Sequence, residues 1–158
     1  MWRRFAVIAL LALVASSCGD SGTMVPPETL VGTWNATSVE LVSVGNPAVR
    51  VDLVADLGAT VTLVLEANND FTLTVTYAGD EPGRPPWGAN SMMTGTWSAT
   101  DILTLQTSPT SQWQFETDLN GDVLSLTEAD TSFDFGADGT LEDADLSLDL
   151  TRAGSTSS

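Results

Sequence analysis

The chain predicts an all-β protein, an antiparallel meander closed into an up-and-down β-barrel of about eight to ten strands. Two observations carry this. Residues 60–77 alternate apolar and polar side chains on both sides of Asn68-Asn69, the period-2 mark of a half-buried hairpin. Short runs with the same alternation, separated by turn residues, then recur to Thr151, and no stretch after residue 17 has the spacing of a long helix. With 158 residues, 42% hydrophobic and 16% charged, the chain is long and apolar enough to bury one core.

In chain order, residues 1–17 read as an export signal. Arg3 and Arg4 form the charged start, residues 5–14 an apolar run too short to span a bilayer, and Ala15-Ser16-Ser17 a small-residue cleavage site. Cys18 follows at once, and the stretch resembles a bacterial lipoprotein signal, which implies that Cys18 becomes the lipidated first residue of the mature chain; a plain signal peptide with a free cysteine is the alternative. Residues 18–28 form a Gly/Ser/Pro-rich tether, residues 29–152 the barrel domain and residues 153–158 a polar tail.

The first long strand opens with Gly32-Thr33-Trp34. Its apolar character passes from the parity of Trp34 and Ala36 to that of Val39 and Leu41, so a bulge or bend is expected near Ser38. Residues 49–57 fit a short strand running into a turn. In the central hairpin Val61, Leu63 and Leu65 share a face, as do Phe71, Leu73, Val75 and Tyr77. Residues 79–90 contain three prolines and three glycines and form a loop bearing Arg84 and Trp87, a recognition lip or a lid on the core. Strands are then expected at 92–98, 102–107, 112–118, 122–127, 131–135 and 145–151, with a turn at Ala129-Asp130 among those between them. The sextet 32–37 returns as 95–100 with one change, from duplication or from two similar strand ends.

Charge narrows the function classes. Five arginines and no lysine face 21 acids, a net charge of -16, with no histidine and Cys18 as the sole cysteine. Phosphate backbones need clustered cations, so nucleic acid is not an expected partner, and anionic headgroups are disfavoured too. Contact with the bilayer is expected only through the anchor. The acidic field attracts cations and basic partners, or simply keeps an exported domain soluble. Without histidine or a thiol in the folded domain, a catalytic role is not expected.

Gly32-x-Trp34 at the head of the first strand of an acidic meander resembles the lipocalin signature, and with Cys18 the chain is similar to bacterial lipocalin-like lipoproteins over residues 30–152. The resemblance implies an envelope protein at the outer membrane or cell surface that binds a small apolar ligand. It also implies that Trp34 closes one barrel end under an arginine from the last strand, which matches Arg152. That contact requires an even strand count, met if residues 49–54 count as a strand.

Two further sites are expected. Phe71, Tyr77, Trp97, Trp113 and Phe115 line the barrel interior, either around a ligand or as a filled core. Asp134, Asp138, Gly139, Glu142 and Asp145 occupy positions 1, 5, 6, 9 and 12 of an EF-hand-like loop, fit for Ca²⁺, although Gly136 stands at the third ligand position and a solvated hairpin loop is the alternative. No other cofactor is expected.

Overall fold

The computed structural model describes residues 25–78 and 91–154. The expected export signal, Cys18, the loop with Arg84 and Trp87 and the last four residues lie outside them. A short helix α1 (Pro27–Leu30) precedes nine strands: β1 (Gly32–Ser43), β2 (Arg50–Asp52), β3 (Thr60–Leu65), β4 (Asp70–Thr76), β5 (Ser91–Ala99), β6 (Ile102–Ser108), β7 (Ser111–Asn120), β8 (Val123–Phe133) and β9 (Glu142–Arg152). The strands run β1-β3-β4-β5-β6-β7-β8-β9 in antiparallel order, and β9 returns to pair with β1. This is a closed up-and-down barrel of eight strands, and it fits a lipocalin-like barrel. The ninth strand, β2, adds to the β1 edge that β3 leaves free, opposite residues 40–42.

The β3–β4 hairpin shows why these residues make strands. Val61 faces Val75, Leu63 faces Leu73 and Leu65 faces Phe71, all buried, while Thr60, Thr62 and Val64 oppose Thr76, Thr74 and Thr72 on the outer face. β-Branched residues suit this pleated, half-buried surface. Asn69 takes φ 70° in the turn, a conformation asparagine tolerates. The buried apolar rows point inward, whereas an outer-membrane barrel turns its apolar face outward.

Three register shifts interrupt the ladders, one between Gln106 and Ser108 beside the β6–β7 turn and two farther along the wall. β1 changes register against β9 between Ala36 and Ser38, which moves its buried parity from Trp34 to Val39 and Leu41. In β8 the expected turn at Ala129-Asp130 is a bulge instead. Asp130 has φ 67° and the register shifts between Glu128 and Thr131, so 122–127 and 131–135 form one strand along β9. A turn and a bulge need the same local positive φ; here the long partner β9 decides between them. This also corrects the strand count. The merger makes the barrel even, and residues 50–52 form a strand outside it.

The sextet repeat has a topological answer. Trp34 begins β1 and Trp97 ends β5, and three strand steps separate them around the barrel, so the two copies run in opposite directions. Half-barrel duplication would make them parallel. Both tryptophans nevertheless meet one need at the same barrel end: their indole N–H groups donate to backbone carbonyls, Trp34 to Leu30 at 2.8 Å and Trp97 to Glu66 at 2.9 Å.

That end, here end A, carries tight turns, α1 and the last described residues after β9; end B carries the longer connections after β1, β4 and β8. Part of end B is covered by the segment around β2, where Leu53 and Ala59 are buried. Asp52 holds it: its carboxylate accepts the Ser38 hydroxyl at 2.7 Å and the N–H groups of Val39, Val54 and Ala55. Burial alone would raise the Asp52 pKa, but these four donors, Ser38 foremost, lower it overall.

Candidate functional site

End A is sealed. Trp34 is fully buried, with the Arg152 guanidinium 4.2 Å above its ring centre. Arg152 is fixed there by donating to the Val31 carbonyl at 2.9 Å and the Thr29 carbonyl at 2.6 Å, and by an ion pair with Asp122 at 3.4 Å. Gly32 makes room, since a Cβ there would stand 2.7 Å from the Arg152 Nη1 and its φ of 145° suits glycine. Leu30 and Val25 are buried as well, so the packed domain begins inside the stretch expected to be tether.

The five aromatic positions all lie on the inward rows, but at different depths. Phe71, Trp97 and Phe115 are buried in the core. Phe71 and Trp97 belong to the end-A half, where Phe71 lies opposite Gly95 and Trp97 covers the β3–β4 turn. Tyr77 and Trp113 stand toward end B and are only half-buried, as is Met93 beside them on the inward face of β5. The barrel is therefore packed at end A and less completely covered at end B.

The inward row also holds an acid that sequence reasoning missed. Glu128 continues the parity of Leu124 and Leu126 and lies opposite Leu146. Burial pushes its carboxyl above the ordinary 4.5, and the Gln114 N–H offsets part of that. Oε2 is buried and accepts no hydrogen bond. Below pH 4.5 the group is protonated whether folded or unfolded and costs nothing; as pH rises through its raised native value, the fold must hold a disfavoured charge and loses stability. Glu128→Gln is thus expected to raise Tm at pH 7 by about 2–4 °C, the shift that about 1 kcal/mol gives in a chain of this size. The gain should vanish when the melts are repeated well below the ordinary carboxyl value; an equal gain at both pH values would rule this account out.

The expected calcium ligands are not gathered around one point. Asp134 is buried, and its carboxylate accepts the N–H groups of Asp138 at 3.1 Å and Gly139 at 2.7 Å, closing the β8–β9 loop on itself. Asp138 accepts from the Thr140 N–H at 2.8 Å, which holds its carboxyl below the usual range. Glu142 and Asp145 belong to β9, where Asp145 lies opposite Val42 on the outer face. Among the described residues no three acids, cysteines or histidines stand close enough to share a metal.

No family model matches the chain, and neither does any curated protein or solved structure. The reading of function therefore rests on the barrel.

Proposed function

We propose that the chain is an exported, non-catalytic lipocalin-like lipoprotein of the bacterial cell envelope. In this reading it is held at the outer membrane or cell surface by lipid on Cys18 and binds a small apolar molecule in the end-B half of its barrel. One observation carries the reading: Trp34, Arg152 and Leu30 seal end A, while the inward side chains of Tyr77, Met93 and Trp113 remain half-covered at end B. A barrel that only needed to be stable gains nothing by leaving apolar inward rows incompletely buried at one end. The signal-like residues 1–17 and the position of Cys18 support export and anchoring.

The test is a titration of the delipidated protein with a neutral apolar fluorophore such as N-phenyl-1-naphthylamine. Saturable binding at one site is expected, weakened about tenfold by Trp113→Ala, the effect of about 1.4 kcal/mol of lost contact. Ile102→Ala on the outer wall should leave it unchanged. No saturable binding by a protein that still melts cooperatively would reject the reading.

The burial of Phe71, Trp97 and Phe115 favours a second one. In it the barrel is filled, and the protein is a structural or interaction component of the envelope acting through its acidic surface.

A further inference from the structure

The barrel wall is unzipped along half of one seam. The β7–β8 ladder runs from Asn120 opposite Val123 to Glu116 opposite Thr127 and stops there. β7 stays paired with β6 as far as Ser111, and β8 with β9 as far as Phe133. Among the described residues, 111–115 of β7 and the end-B part of β8 therefore each keep one strand edge with no strand beside it. The bulge at Asp130 lies in this unpaired part of β8. Antiparallel strands direct successive residues to alternate neighbours. Gln114 turns its N–H toward Glu128 of β8, so Gln112, two residues away, faces the seam too. The Glu128 carboxylate stands in for the missing rung, with its Oε2 unpartnered.

The seam opens into a groove of about 710 Å³. Its lining includes the carboxylates of Glu116, Glu128, Asp130 and Asp145, the apolar side chains of Ile102 and Leu146, and no lysine or arginine. A free strand edge is a template for another strand, and most proteins cover or charge such an edge. Here the charge is all of one sign and stands beside the edge, in a chain of net charge -16 that steers cations toward it.

We infer that the β7–β8 seam is a docking site for an extended, basic segment of a partner protein, which adds a short strand to the open edge of β7. At about 3.3 Å per residue the five open residues span about 17 Å, enough for a five- or six-residue strand. Because side chains alternate, one row of such a segment faces outward to Glu116, Asp130 and Asp145, and the other inward toward Leu146. Alternating cationic and apolar residues satisfy both rows. This inference is independent of whether the lumen binds a ligand.

The test uses the full-length protein and a six-residue peptide alternating Arg and Val, capped at both ends. Its partners in the experiment are the same peptide N-methylated at alternate backbone nitrogens, and spermidine. The inference expects saturable binding of the first peptide and slowed amide exchange at Gln112, whose N–H faces the open seam. It also expects about tenfold weaker binding after N-methylation, which removes the strand donors, and about tenfold weaker binding to Glu116→Gln/Asp145→Asn, which lacks the rim charge. Equal affinity for the methylated peptide, or unchanged exchange in β7, would overturn it. Spermidine displacing the peptide with no change in β7 exchange would reduce the groove to a patch of acidic surface and equally overturn the docking strand.

Discussion

Trp34→Ala is expected to destabilise the protein by about 3–5 kcal/mol, and to lower Tm by roughly 10 °C or more. The side chain is fully buried, so truncation removes its own contacts and leaves a void that the barrel end cannot collapse into. Two polar groups lose their partner with it. The Leu30 carbonyl gives up the indole N–H, and the Arg152 guanidinium gives up the ring beneath it. Trp34→Phe separates these in part, because it keeps a ring face for Arg152 while losing the indole donor and some buried ring volume; about 1–2 kcal/mol is expected. A double-mutant cycle with Arg152→Ala should show a coupling of about 0.5–2 kcal/mol. Urea unfolding at pH 7 measures all four. A loss below 1 kcal/mol for Trp34→Ala, or additivity in the cycle, would mean that this contact does not hold end A together.

The second large effect is expected at Gly95. A methyl added there would run into the carbonyl of Gln106 and stand 2.9 Å from the Phe71 ring. Rotating a side chain cannot relieve the first clash, since the obstacle is backbone in the neighbouring strand β6. Gly95→Ala should therefore cost about 3 kcal/mol or more, through displacement of β5 from β6. Gly121→Ala is the control. It has φ 61° in the β7–β8 turn with nothing within 4 Å, so only the backbone conformation resists, and about 1 kcal/mol is expected. Thermal melts of the two variants that fell in the opposite order would exclude this account of Gly95.

What the sequence made legible was local. The alternation of residues 60–77 located a hairpin, and the change of parity after Ala36 located the bulge of β1 to within a residue. Arg152 was matched to Trp34 through family resemblance, and the two side chains do meet. The features that escaped depend on partners far along the chain. Ala129-Asp130 has the chemistry of a turn, and only the length of β9 makes it a bulge. Residues 50–52 alternate like any strand, yet they lie outside the barrel because β3 already pairs with the first half of β1. The loop spacing from Asp134 to Asp145 did not show that β9 begins at Glu142 and carries Asp145 onto the outer wall. Glu128 was readable by counting on from Leu126, and the turn expected just after it hid the count. The open seam lies beside that same bulge.

The entry of the chain at end A has a further consequence. Val25 and α1 pack beside Trp34, so a protein held by its N-terminus turns its sealed end toward the holder. If Cys18 carries lipid, the seven residue steps from it to Val25 extend to no more than roughly 25 Å. End B then looks away from the membrane, with the height of the barrel between it and the acyl layer. An apolar molecule could not slide in from the bilayer beneath; it would have to cross water or be handed over by another protein.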